Sequence, residues 1–394
     1  MKIQVTYLAT VTVAVLLLFI GHNIVVQDRF VFQDGMHQEV TRAKVHKIVE
    51  RIQVGANFDW FDEFSPMLGE KIIFEARVTS GVRRGEIITA EQSLSSLFQG
   101  ALREVSKGDS ILLININDEW FFNGHSRTNK LLALGIIFTL CVLFFGGKKG
   151  FNAILSLGLT FGAIFAVFIP SILSGKNIYV MAMLVCIYTT IMTFTIVVGL
   201  NKKSLSATIG CISGILVTGL ITLIMDRVLF LTGIIDEHSR FLMTLPVDNP
   251  LNLRAIVFAG IIIGAMGAIM DVAMSISSAL WELKEKAKVI KFETLFRSGL
   301  NIGRDIFGTM ANTLILAYIG TSLSVVLLLG VYSDSLLVLF NSEMIVVEVL
   351  QALAGSFGIL LAMPLTAFFC AVFYSPAKCG ARAACTHMTE RRGG

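Results

Sequence analysis

Charge is what this chain has little of. Asp, Glu, Lys and Arg make up 15% of its 394 residues, against about 25% in soluble domains. Hydrophobic residues make up 55%, and mean hydropathy is +0.76. No water-soluble core hides that much apolar surface, so a soluble globular protein is excluded. Cysteine is missing from residues 27–129, which excludes a disulfide framework there. Cys141, Cys186, Cys211 and Cys370 lie in apolar runs and are read as packing residues. The tail "CGARAACTH" offers Cys379, Cys385 and His387. A tetrahedral metal site needs four ligands at tighter spacing, so no metal is expected and the tail is read as loose. His22, His37, His46, His125, His238 and His387 all fall outside the apolar runs or at their ends. The runs therefore hold no Cys–His pair and no Ser–His–Asp constellation. No glycine-rich phosphate loop follows a strand. No catalytic residue and no cofactor is expected, and the chain is not read as an enzyme.

What is present is apolar and helical in length. Eight segments stand out, near 3–26, 131–146, 151–173, 178–200, 205–230, 253–281, 306–331 and 344–374. A helical span needs about 20 apolar residues, and none of the eight alternates as an outer-membrane barrel strand does. The fold expected is an all-α polytopic membrane protein of about eight transmembrane helices with a small β-rich extracytoplasmic domain. The first run, residues 1–26, exceeds a signal peptide's apolar region and lacks a small-residue cleavage site. It is read as a retained anchor.

Orientation follows the basic residues of the short loops. With the N-terminus inside, Lys148, Lys149, Lys202, Lys203, Lys284, Lys286, Lys288 and Lys291 are cytoplasmic, while Lys176, Arg227, Arg240 and Arg254 face outward. This places both termini in the cytoplasm of a cell with the chain in its plasma membrane. The net charge of +4 then reflects membrane topology, and no nucleic acid is implied as a partner; the partner is the lipid bilayer.

Residues 27–129 are expected outside. "EVTRAKVHKIVE", "EKIIFEARVTSGVRRGEIITAEQS" and "SKGDSILLININDEWFF" alternate as strands do. "SGVRRGE" reads as a hairpin turn and "SLSSLFQGALREV" (93–105) as a short helix. A small barrel, OB-like in size, fits, and it serves either as a ligand or partner surface or as a spacer. Residues 130–375 form the seven-helix membrane domain. Within it, 282–304 is amphipathic, with Val289, Phe292, Leu295 and Phe296 in one stripe, and is read as a helix lying on the cytoplasmic face. Residues 376–394 form the tail.

One carboxylate sits inside a span. In the sixth segment Gly264, Gly267, Asp271, Ser275, Ser278 and Glu282 recur at 3,4,4,3,4 spacing, which is one helical face. The seventh carries Ser298, Asn301, Asp305, Gly308 and Asn312 at 3,4,3,4. Glycine lets helices approach and Ser or Asn bonds across the contact, so the two stripes are expected to face each other or a shared cavity. Inserting an Asp at such depth costs about 2.5–3.5 kcal/mol, and intramembrane acids mark ion or proton paths. Asp271, Asn312, Ser275 and Ser278 are read as the relay. The plainer reading is an Asp hydrogen-bonded as helix glue. Arg304 and Asp305 sit at the inner mouth of the seventh span, where an ion pair or a helix start also accounts for them. Pro364 inside the eighth frees a carbonyl that can bend the helix or line a cavity. These, with Gly264, Gly267 and Gly308, are candidates for gating or helix contact.

Four stretches carry a resemblance: "GKKGFNAILSLGLT" (147–160), "NLRAIVFAGIIIGAMGAIMDVAMSISSALWE" (252–282), "SGLNIGRDIFGTMANTLILAYIG" (298–320) and "LAMPLTAF" (361–368). They resemble the YibE/F family of bacterial membrane proteins over roughly residues 130–375. The resemblance implies the multi-pass topology and supplies no biochemical activity. The tail matches nothing in that family. The order of anchor, outer domain and Asp-bearing span is remotely similar to resistance-nodulation-division exporters and to SecD/SecF. That similarity implies a proton relay at Asp271 with Asn312 opposite. A transporter or export component driven by protons or another ion is the first expectation. A non-transporting scaffold, sensor or assembly factor is the second. Small-residue faces suit a homodimer, or pairing with a shorter YibE/F-like relative.

Overall fold

The computed structural model describes residues 2–26, 39–54, 69–81, 83–95, 103–245, 250–287, 290–332 and 335–375. The chain divides into two compact units, Val31–Cys141 and the remainder (Met1–Phe30 with Val142–Gly394).

Among its described residues the first unit is built on five strands. They are β1 (Val40–Val54), β2 (Gly69–Val78), β3 (Ile87–Ser95), β4 (Ser110–Ile116) and β5 (Glu119–His125). They close a barrel in the order β1-β2-β3-β5-β4. Neighbours are antiparallel except β3 with β5. Alternation drives this: Ile72, Phe74, Ala76 and Val78 of β2 are buried while the residues between them are not. Two register shifts in β1, at Val45/Lys47 and Ile48/Glu50, let one 15-residue strand pair with β2 along most of its length and with β4 at its start. Asn117 and Asp118 take positive φ, as a two-residue hairpin requires. Buried Gln92 donates to the Arg103 carbonyl (3.1 Å) and accepts from the Val105 amide (2.9 Å), fixing the segment before β4. The stretch "SGVRRGE" does connect β2 to β3. The helix expected over 93–105 is not found in its described part: Ser93–Ser95 end β3 because their partners on β2 continue to Gly69, and 103–106 are irregular. Residues 96–102 lie outside the described residues.

The second unit is helical, and the segment joining the two begins in the first. The helices are α1 (Lys2–Val26), α2 (Thr128–Gly162), α3 (Ile169–Leu173), α4 (Ile178–Val198), α5 (Lys202–Val228), α6 (Glu237–Met243), α7 (Leu253–Lys286), α8 (Phe292–Thr321), α9 (Leu323–Tyr332), α10 (Leu336–Asn341) and α11 (Glu343–Tyr374), with a π-helical turn, Ala163–Phe168, between α2 and α3. Among the described residues six stretches are long and apolar enough to cross a membrane: Tyr7–Val25, Thr128–Leu173, Ile178–Val198, Lys202–Val228, Leu253–Lys286 and Glu343–Tyr374. About eight were expected, and two differences account for the count. Residues 131–146 and 151–173 fall in the single 46-residue stretch Thr128–Leu173. Straight, it would run about 69 Å at 1.5 Å per residue, twice a bilayer's core. Gly147 breaks it with non-helical φ/ψ of 52°, −129°, and a Cβ on Gly150 would run into the Val142 carbonyl oxygen. The chain turns there. The seventh segment, 306–331, is divided between α8 and α9, and α8 is polar along one side.

The core is the packing of α5, α7 and α11, with α4 and α8 against them. Glycine makes this possible. Gly210, Gly214 and Thr218 of α5 meet Thr366, Ala362 and Gly358 of α11 in antiparallel register. Each pair sets a glycine or alanine against its partner, so the two backbones lie as close as small residues allow. Gly299 and Gly303 of α8 meet Ala367 and Met363 of α11 in the same way. α1 is held by polar contacts: Tyr7 donates to Asn152 Oδ1 (2.9 Å), Tyr188 to the Ala14 carbonyl (3.0 Å), and His22 Nδ1 to the Ala166 carbonyl in the π-helical turn (2.7 Å).

The amphipathic segment 282–304 is not a separate surface helix. Residues 282–286 end α7 and 292–304 begin α8. Its apolar stripe continues α8's inner face: Leu295 is fully buried and Phe292 stacks on Phe296 and meets Phe368 edge-on. Val289 lies outside the described residues.

Candidate functional site

α7 starts where Asn252 accepts from the Ala255 amide (3.2 Å) and runs 34 residues. Asp271 falls beside its midpoint. The face carrying Ala255, Ala259, Ile262, Ile269, Ala273, Ile276 and Leu280 is buried. The remaining face holds the polar stripe. Gly264, Gly267, Asp271, Ser275 and Glu282 are exposed and Ser278 is half-buried. On α8, Asn301, Arg304, Asp305, Gly308 and Asn312 are exposed and Ser298 is half-buried.

The two stripes do not lock together. α7 and α8 touch through Ile276 against Gly303 and Leu280 against Gly299. Extending that antiparallel register puts Asp271 level with Gly308 and Asn312 level with Gly267. Each polar residue thus stands at the height of a glycine, one turn from the other. A Cβ added to Gly267 or Gly308 would meet nothing within 4 Å, so there is open space beside both. Among the described residues neither the Asp271 nor the Asn312 side chain forms a hydrogen bond, nor do Arg304 and Asp305 form an ion pair. Gly264 differs: its missing Cβ makes room for Tyr318 Oη and Gln351 Nε2, which would lie 3.1 and 3.2 Å from it. Pro364 is half-buried in α11 between Ala362 and Thr366, and its lack of an N–H leaves the Leu360 carbonyl without its helical donor.

The α7 stripe leads into an open cavity of about 640 Å³. Ser275, Ser278, Glu282, Glu285 and Lys286 of α7 line it, with Lys203 from the start of α5. Lys286 pairs with Glu282 (2.7 Å). Beneath it lies a cluster that the sequence pattern did not single out. Ser277, fully buried, donates to the Lys203 carbonyl (2.8 Å) and lies 2.7 Å from Tyr374 Oη. Trp281 meets Tyr374 edge-on and Lys284 lies over the Trp281 ring at 4.7 Å. Ser277 is one residue off the stripe and Tyr374 lies 97 positions away; only a buried serine beside a helix-end aromatic hinted at it. These contacts bind the ends of α5, α7 and α11 and form the wall from which the stripe projects.

Among the described residues no group of three or more His, Cys, Asp or Glu could hold a metal; Cys379, Cys385 and His387 lie outside them. An acid in a helix face, next to hydroxyls that reach an open cavity, is suited to exchange a proton or meet a cation.

Comparison with known proteins bears on the helical unit. No curated protein and no solved structure matches the chain. A family model described as YibE/F-like protein matches residues 134–376, well over half of the sequence, taking in nearly all of α2 and each later helix named above. With helices long and apolar enough for repeated membrane crossing, the chain belongs to the YibE/F-like family of multi-pass membrane proteins.

Proposed function

We propose that this chain is an ion- or proton-coupled transporter or export component in which Asp271 takes up and releases the coupling ion inside the membrane. The observation that carries the reading is the continuity of Asp271, Ser275 and Ser278 with the open cavity at the end of α7. Serine hydroxyls one and two turns from the acid can hold water between it and Lys203, Glu282 and Glu285. Asn312, one turn away on α8, offers a neutral amide to either charge state. Gly267 and Gly308 leave the space in which α8 can shift against α7.

The orientation that goes with this reading has both termini in the cytoplasm of a bacterial cell and residues 27–129 outside. The cavity then opens inward. An Asp and an Asn uncovered at membrane depth are costly against hydrocarbon. A second copy, or a shorter YibE/F-like relative, completes the path by covering that face. The five-stranded barrel favours a second reading, a scaffold, sensor or assembly factor, because a barrel of this size is a ready partner surface; its strand order supports OB-like comparison.

Reconstitution separates the two. Purified protein in liposomes holding a pH-sensitive dye should change internal pH when an ion gradient is imposed across them. Liposomes indistinguishable from empty ones across proton and sodium gradients would favour the scaffold.

A further inference from the structure

The barrel unit holds a second site. Arg103, before β4, and Arg127 and Lys130, at the start of α2, converge with His125 and Asp109 on one cavity of about 380 Å³. The cations outnumber the carboxylate. Asp109 is already engaged: its Oδ2 accepts from the Ser106 amide (3.0 Å), and its Oδ1 lies 3.5 Å from Arg103 Nη2. Its Oδ2 is 3.9 Å from His125 Nδ1. Arg127 and Lys130 form no ion pair among the described residues. His125 Nε2 is buried and has no hydrogen-bond partner. The ring nitrogen is left unsatisfied in the wall of a basic cavity.

Position adds to this. The first hydrogen bond of α2 is Leu131 N–H to the Arg127 carbonyl, so the amides before Leu131 have no acceptor within the helix. Cations at a helix N-terminus oppose the macrodipole. Arg127 and Lys130 sit there together, which is unfavourable until an anion arrives. A helix start with basic side chains around it suits phosphate. From Leu131 to Leu140 α2 is apolar and almost wholly exposed, as suits contact with hydrocarbon, and Lys130 stands just before that run, where headgroups would lie.

We infer that this cavity binds a phosphate group, held by Arg103, Arg127 and Lys130 with His125 in its wall. A phospholipid headgroup and free phosphate share this chemistry, and the test separates them. Full-length protein in an uncharged detergent is titrated with inorganic phosphate and read by phosphorus NMR line broadening. In parallel it is incubated with phosphatidylglycerol or phosphatidylcholine, and bound lipid is counted by native mass spectrometry. The double variant R127Q/K130Q should weaken binding at least about 10-fold, and R84Q, in the β2–β3 turn outside the cavity, should not. H125N should weaken it less than the double variant while leaving the far-UV circular dichroism unchanged. Broadening by phosphate that the double variant abolishes identifies a soluble anion. Retention of phosphatidylglycerol alone, lost in the double variant, identifies a headgroup. Equal binding by wild type and R127Q/K130Q, or no binding of either probe to wild type, overturns the inference.

Discussion

Glu343 shows how much one side chain can hold. It opens α11, and its carboxylate accepts from the Thr232 amide (2.7 Å), the Thr232 hydroxyl (2.7 Å) and the Gly233 amide (2.6 Å). That ties the loop after α5 to the start of α11. Gly233 has φ +86°, and a Cβ there would strike the Leu253–Arg254 backbone, so the loop has few alternatives. E343A strands two amides and should cost about 1–3 kcal/mol, seen as a lower thermal unfolding midpoint in detergent; E343Q, which keeps one acceptor oxygen, should lose less. Equal midpoints for E343A and wild type would mean the loop holds itself. None of this was legible from sequence, because the partners are more than 100 positions apart. Asp271, Ser275 and Ser278 were legible, because helical periodicity alone groups them. Their exposure was not: the stripe showed which residues share a face and left open what covers it.

At the scale of elements, α4, α5, α7 and α11 lie within a few residues of the apolar runs that announced them, since length and hydropathy suffice where the run is long, even with the one polar stripe of α7. α8 escaped that logic. Its inner face is narrow, and its polar side carries Asn301, Arg304, Asp305 and Asn312, so a hydropathy window began it 14 residues late. β3 was read as strand up to Ser93, and only its end, Ser93–Ser95, fell in the stretch read as helix; pairing to β2 decided it. The seam between α5 and α11 was also readable in principle, as small residues four apart at 210, 214 and 218 and again at 358, 362 and 366, but only the pairing gives it meaning. Gly214 tests it. A methyl there would lie 2.7 Å from Ala362 Cβ and 2.8 Å from Ile269. G214A should therefore destabilise by about 1–3 kcal/mol. Gly260, on α7, has open space around it, and G260A should be neutral or stabilise by up to about 1 kcal/mol. Thermal unfolding of both variants in the same detergent decides it. Equal losses would mean glycine acts through helix propensity and not through the seam.

For the whole molecule, composition made membrane insertion legible and the basic loops proposed its direction. Cysteine placed at Lys286 on the exposed end of α7 should react with an impermeant maleimide only after cells are lysed. Labelling of intact cells would invert the orientation and place the cavity at the outer surface. The central claim is that Asp271 works by changing charge. Asp271→Asn keeps the shape and the hydrogen-bonding capacity and removes only the ionisation. Proton flux into dye-loaded liposomes, measured for wild type, D271N and D271A at matched protein content, reads this directly. The account predicts that both variants reconstitute as wild type does and lose ion-driven flux at least about 100-fold, as expected when an intramembrane relay is removed. Wild-type flux in D271N, with loss confined to D271A, would contradict it and leave Asp271 as a hydrogen-bonding residue between helices.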